Sequence, residues 1–151
     1  MSSMKDRLRT ELTASMKARD QLRSSTLRLV LTAIANAEVA GKQARELSDD
    51  DITGILASQA KMRREAATAF DGARPELASK ERSEAAIIQE FLPEPMPSDE
   101  IAAMVATIIE QLGVHDAGMQ AMGRVMGAVT PLTLGRADGG VVSAEVRRQL
   151  S

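Results

Sequence analysis

Cysteine, tryptophan and tyrosine are absent from this chain, phenylalanine occurs twice and histidine once. Without cysteine, disulfides and thiolate chemistry are both excluded. With almost no rings, the core must be packed by aliphatic side chains. The usual platform on which single-stranded nucleic acids stack their bases is also missing. Long apolar runs are absent too, since no segment approaches the roughly 18 consecutive apolar residues of a membrane span. The start, Met1-Ser-Ser-Met-Lys-Asp-Arg-Leu-Arg9, is charged and leads into no apolar h-region. Neither secretion nor membrane attachment is indicated, and a cytoplasmic location is expected. No G-x-x-x-x-G-K-[ST], G-x-G-x-x-G or G-x-S-x-G pattern occurs.

What remains is a helix-forming composition. The 151 residues are 44% apolar and 26% charged, and nine of them are methionine. That length suits one domain or two small ones with a real core. Ala and Met favour helices, and alternating β-branched runs are missing, so the chain is expected to be all-α. Net charge is −2, which excludes a polycation with general affinity for nucleic acid. The distribution is less even. Residues 1–37 carry seven basic and three acidic groups, whereas 38–60 carry two basic and five acidic ones. A basic arm of this kind serves either as a solvated helix surface or as a contact for an anionic partner.

Apolar spacing divides the chain into helices. The first is expected over 3–18, with Met4, Leu8 and Leu12 on one face, and the second over Gln21–Ala40, stopped by Gly41. Leu27, Val30, Ile34 and Ala37 form one stripe of the second helix; Leu31 and Val39 point elsewhere, which predicts burial on two sides. Ser48 should cap a third helix whose first turn is Asp49-Asp-Asp51. Its stripe is Ile52, Ile55, Leu56, Gln59, Met62, Ala66 and Phe70, closed by Asp71-Gly72. A fourth helix starts near Pro75 and carries Leu77, Glu81, Ala85, Ile88 and Phe91 or Leu92.

Leu92-Pro-Glu-Pro-Met-Pro-Ser98 then interrupts the pattern, because three alternate prolines hold the backbone extended. The expected organisation is therefore an N-terminal helical subdomain of four helices (1–92), a stiff Pro-rich hinge (93–97) and a C-terminal three-helix subdomain (98–151). In the last of these, Ser98 should cap a helix with Ile101, Met104, Val105, Ile108, Ile109 and Leu112 inward, ended by Gly113. A helix over 117–129 should stop at Thr130-Pro131, and Asp138 should cap a last one built on Val142, Val146 and Leu150.

The helix over 117–129 carries the most informative feature. Met119, Met122, Met126 and Val129 share one face, yet Gly123 and Gly127 sit one turn apart inside it. Each glycine costs a helix about 1 kcal/mol relative to alanine, so a close approach to the backbone is implied along that side. The approaching group is either a neighbouring helix or a phosphate-bearing ligand. Arg124, Arg136, Arg147 and Arg148 surround this helix and the Gly135-Arg-Ala-Asp-Gly-Gly140 turn, and they supply the cations that phosphate contacts need.

Catalytic candidates are few. His115 sits alone in the Gly113–Gly118 connection and has no matched metal ligands around it. Asp49, Asp50 and Asp51 point around a helix start and act as caps. Glu81, Glu84 and Glu90 lie on a charge-rich helix and are expected at the surface. Arg28 interrupts Leu27-Arg-Leu-Val-Leu31, where a structural ion pair is the expected use. No catalytic residue, metal site or cofactor is expected.

A helical arm, then Phe91-Leu-Pro-Glu-Pro-Met-Pro-Ser-Asp-Glu-Ile101, then Met122-Gly-Arg-Val-Met-Gly127 and Gly135-Arg-Ala-Asp-Gly139, in that order, resembles the GatB/YqeY family. The likeness is to its stand-alone YqeY-like members and spans essentially the whole chain. The same helical module forms the tail of the B subunit of the glutamine-dependent aspartyl/glutamyl-tRNA amidotransferase, where it helps hold misacylated tRNA. The resemblance implies two α-helical subdomains, the second a three-helix unit. Carbon–nitrogen ligase activity with glutamine as amido donor belongs to the larger enzyme, whose catalytic parts do not fit in this length. By resemblance the RNA-binding residues are Gly123, Arg124, Gly127, Gly135 and Arg136, to which the nearby Arg147 and Arg148 are added. The implied partners are tRNA and an amidotransferase or other translation protein, with the chain itself monomeric. The competing reading is a helical protein-interaction adaptor without RNA binding.

Overall fold

The computed structural model describes residues 3–151; Met1 and Ser2 lie outside them. Seven α-helices and no strand occur among the described residues: α1 (Met4–Lys17), α2 (Gln21–Glu38), α3 (Asp49–Phe70), α4 (Pro75–Gln89), α5 (Ser98–Leu112), α6 (Met122–Thr133) and α7 (Gly139–Leu150). A single 3₁₀ turn, Gly118–Ala121, precedes α6. The chain divides into two compact units, Met1–Pro93 and Glu94–Ser151.

In the N-terminal unit, Ser3 caps α1 by accepting from the Asp6 N–H, and Asp20 caps α2 by accepting from the Arg23 N–H. Between them α1 ends in a tight reversal. Arg19 N–H donates to the Met16 carbonyl and Asp20 N–H to the Ser15 carbonyl, with Arg19 at φ +58°. This is the Schellman arrangement, which ordinarily places glycine at the left-handed position. Leu8 of α1 and Leu27, Val30 and Ile34 of α2 are fully buried in the shared core. Ser15 and Ser24 hydrogen-bond at 2.8 Å inside it, so neither hydroxyl is left without a partner. The second helix stops at Glu38, short of Gly41, and Val39 and Leu29 are exposed. Of the two residues expected on a second apolar face of α2, Leu31 packs against the core and Val39, past the end of the helix, is exposed; α2 itself touches α1, α3 and α4.

Ser48 and Asp51 form a capping box at the start of α3, each side chain taking the other's backbone N–H. The buried stripe then runs Ile52, Leu56, Ala60, Arg63 and Ala67. It departs from the expected stripe at Met62, which is 57% exposed, and takes in Arg63 instead. The reason lies across the seam in α4. Glu84, expected at the surface, is only 8% exposed and accepts from Arg63 Nε at 3.0 Å. Arg63 Nη1 also donates to the Gln59 carbonyl and to its Oε1. Ala60, Ala67, Ala78 and Ala85 are buried on the same two helices, and their small side chains leave room for the pair. At the end of α4, buried Phe91 lies under the guanidinium groups of Arg7 (4.8 Å) and Arg23 (5.7 Å). Arg23 further pairs with Glu11 and Glu90.

In the C-terminal unit Pro97, already extended at ψ 157°, takes the cap position of α5. Ser98 is the first helical residue and makes no cap bond, contrary to expectation; Asp99 and Glu100 complement the dipole from the first turn. Ile101, Val105 and Ile109 are buried, and Gly113 ends the helix at φ +65°. The sixth helix does not stop at Thr130-Pro131 but continues to Thr133. Proline cannot donate to the Gly127 carbonyl, yet the flanking hydroxyls hold the turn. Thr130 Oγ1 donates to the Met126 carbonyl and Thr133 Oγ1 to those of Val129 and Thr130. The buried face is Ala121, Val125, Val129 and Thr133, while Met119 is exposed and Met122 and Met126 are half-buried. The expected methionine face is therefore rotated toward the rim of the core. Asp138 caps α7 by accepting from the Gly140 N–H, and Val142, Val146 and Leu150 face inward.

Candidate nucleic-acid interface

The two glycines inside α6 are exposed. Gly123, Arg124 and Gly127 are exposed on the side of α6 opposite Val125 and Val129. No described atom of residues 94–151 lies within 4 Å of where a Cβ would sit at either glycine, apart from the helix's own backbone and immediate neighbours. A neighbouring helix of the same unit is thereby removed as the reason for these glycines. The buried side of α6 is filled by valines instead, so the stripe is left open to an external group.

Gly135 lies in a turn and Arg136 makes contacts within the unit. Gly135, at φ +73°, turns the chain out of α6, a conformation that disfavours any Cβ. Arg136 then reaches back to the proline segment. Its Nε donates to the Glu94 carbonyl at 2.9 Å, its Nη2 lies 3.3 Å from Glu100 Oε1, and its own carbonyl accepts from Met96 N–H at 2.9 Å. The pair Gly135-Arg136 thus ties residues 94–96 and the start of α5 to the end of α6. This gives the glycine-arginine turn a structural role that its spacing alone did not disclose.

Arg147 and Arg148 occupy the last turn of α7, where cations complement the helix dipole. Arg148 is engaged by Glu145, and its hydrogen bond, followed by that of Gln149, holds the Glu145 carboxyl down to about 2. Arg147 is exposed and in no ion pair among the described residues, as is Arg124. Of the four arginines, then, two are committed within the unit and two remain for a partner. The unit is acidic: residues 94–151 hold four arginines against seven carboxylates.

The remaining candidates fall outside any cluster. His115 is exposed in the α5–α6 connection, and no group of three or more His, Asp or Glu that could hold a metal occurs among the described residues. Asp51 completes the capping box and Asp49 Oδ1 accepts from Met4 N–H, which accounts for two members of the acidic run. Arg28 makes no structural ion pair, contrary to expectation. It is exposed, and its Nη2 rests 3.0 Å from Met16 Sδ. This places it on the outer side of α2, away from the apolar stripe it interrupts in sequence. No helix among the described residues is long and apolar enough to cross a membrane.

Residues 5–150 match the family model described as Yqey-like protein. No curated protein matches the chain.

Proposed function

The chain belongs to the YqeY-like family, and on that footing we propose that it is a tRNA-associated helical module with no chemistry of its own. It serves the glutamine-dependent amidation of misacylated tRNA by holding the RNA body through shape and phosphate contacts. The observation that carries this reading is the open stripe of α6. Gly123 and Gly127 forgo about 1 kcal/mol each of helix stability, and no described side chain of their own unit occupies the space they leave. Arg124 stands between them and Arg147 lies on α7, both exposed and free of ion pairs among the described residues. A bare backbone surface carrying Arg124, with Arg147 exposed on the neighbouring helix α7, accommodates a sugar–phosphate chain. Gly135, Arg136 and Arg148 support this surface rather than touch the RNA.

Filter binding of tRNA across a salt series tests the reading. Replacing Arg124 and Arg147 by Ala should weaken binding and leave the melting temperature nearly unchanged, and the salt slope should fall by roughly one unit per lost phosphate contact. A wild-type chain without salt-sensitive tRNA binding at low ionic strength sinks it. A second reading, a protein adaptor docking a partner helix on the same stripe, is favoured by the acidic balance of residues 94–151. Under that reading Gly127→Gln abolishes association with the partner, while the arginine changes leave it intact.

A further inference from the structure

We infer that the α1–α2 hairpin is a separate nucleic-acid surface, on which Arg9, Lys17, Arg19 and Arg28 take the phosphate backbone of a folded RNA. Residues 3–38 hold seven basic and four acidic groups. Three of the seven are committed inside the unit: Lys5 to Glu38, Arg7 to the Phe91 ring, and Arg23 to Glu11 and Glu90. The other four are exposed and enter no ion pair among the described residues, although the Arg9 charge also acts on Glu38. The acids nearby are occupied in turn. Glu11 and Glu38 are in ion pairs, Asp20 caps α2, and Asp6 lies near the opposite end of α1 from the reversal.

The fold gathers these cations. Arg28 of α2 lies against Met16 of α1, next to Lys17, while Arg9 precedes Met16 by two helical turns on the same face. Arg19 sits at the reversal itself, in the left-handed conformation at φ +58°. Glycine is the ordinary occupant of that position, and a side chain there is strained. The strain secures no internal contact, because Arg19 makes no ion pair or side-chain hydrogen bond among the described residues. What it does provide is a long cation at the exposed tip. An anionic membrane is a poorer fit, since an interfacial helix would show an apolar outer face. The outer side of α1 offers Asp6, Arg9, Thr10, Thr13 and Lys17, and the large apolar side chains exposed on the hairpin, Met16 and Leu29, stand singly among polar neighbours. With no ring on this face, contacts go to phosphates and not to stacked bases.

The inference rests on RNA being the partner, so its test keeps the two surfaces apart. A full-length variant carrying Arg9→Gln, Lys17→Gln, Arg19→Gly and Arg28→Gln is compared with wild type and with Arg124→Ala/Arg147→Ala. Each is titrated with tRNA over a salt series, with polyglutamate and phosphatidylcholine/phosphatidylserine vesicles as the other probes. The hairpin variant should melt no lower than wild type, and slightly higher through Arg19→Gly, while its salt slope should be shallower by about three to four units, close to one per contact. If wild type binds tRNA and the hairpin variant matches it in affinity and slope, the hairpin surface is overturned while the RNA reading stands. Loss in the hairpin variant alone upholds the hairpin and overturns the α6 stripe as a contact. Absence of tRNA binding in wild type removes both. Equal binding of polyglutamate, or preference for the vesicles, overturns RNA as the ligand.

Discussion

Among the described residues, the N-terminal unit buries five polar or charged side chains, Ser15, Ser24, Thr26, Arg63 and Glu84, whereas the C-terminal unit buries one, Thr133. Six of the ten residues in the C-terminal core cluster are valine, with two isoleucines, a leucine and an alanine. Valine is stiff at χ1 in a helix, so such a core is defined by shape and has few rotamers to lose. The N-terminal unit relies on polar ties for register. A slip of α3 against α4 would leave Glu84 buried without its cation and Arg63 without its counter-charge, held only by Gln59, which is far costlier than a shifted methyl group. The C-terminal unit sets its geometry at its ends, through Gly113, the Asp138 cap and the Arg136 tie to residues 94–96.

The largest effect should come from separating the two. We propose that the proline segment 93–97 is the hinge between them. Limited proteolysis should then cut near Pro93 and leave residues 94–151 as a folded fragment that retains the Arg136 tie. Cleavage mainly inside 48–70 would break this division. Next in size is the contrast between the cores. Glu84→Gln should destabilise by about 3–5 kcal/mol by stranding a buried guanidinium. Replacing both partners, Arg63→Met with Glu84→Leu, should recover most of that loss. Val129→Ala in the other core should cost about 2 kcal/mol through lost transfer energy and a small cavity. Urea unfolding of the variants ranks them, and a Glu84→Gln loss no larger than that of Val129→Ala would dissolve the contrast.

Much of this architecture was legible in the sequence because it follows from local chemistry. Ser48, Asp138, Pro75 and Gly113 marked helix ends by capping and backbone preference, and the stripe of α5 followed from period alone. The all-helical fold needed only composition and spacing. What failed were features set by a neighbour. A buried Arg63 is indistinguishable in sequence from a surface one until Glu84 is seen across the seam. Pro131 marked a helix end by rule, yet Thr130 and Thr133 carry α6 past it. Arg19 gave no signal at all, since a left-handed backbone is invisible in a residue that seldom adopts it. The α6 glycines were visible, but the identity of the group they make room for was not, because openness to solvent is a property of the fold.

Smaller effects come from the backbone choices that each unit makes on its surface. Gly123→Ala and Gly127→Ala should each stabilise by up to about 1 kcal/mol, since an added methyl meets nothing within 4 Å. Arg19→Gly should likewise gain about 1 kcal/mol by relieving the left-handed strain. The two units would then share one pattern, stability forgone on an exposed face, despite their different cores. A loss of 1–3 kcal/mol at either glycine, roughly the size of an overpacking penalty, would show that the stripe is covered in solution.

The smallest effect is a dependence on acid, and it should be spread unevenly. In the N-terminal unit Glu38 is held below its ordinary value chiefly by the Lys5 hydrogen bond, Asp51 by the Ser48 backbone N–H, and Asp71 by Arg82. The C-terminal unit has Glu145, lowered from 4.5 to about 2, first by Arg148 and then by Gln149. Each carboxyl is more acidic folded than unfolded, so it stabilises the fold above its unfolded value. That contribution fades as pH falls through the folded one. For Glu145 the window runs from 4.5 down to about 2. Its partner Arg148 is well exposed, so salt should screen the pair and keep the effect small. Glu145→Gln should therefore lower the melting temperature slightly near neutral pH at low salt, with the gap to wild type closing across that window. Glu38→Gln should behave in the same direction in the other unit. A gap that widens on acidification would mean that Glu145 is held in its protonated form, and the ion pair with Arg148 would have to be abandoned.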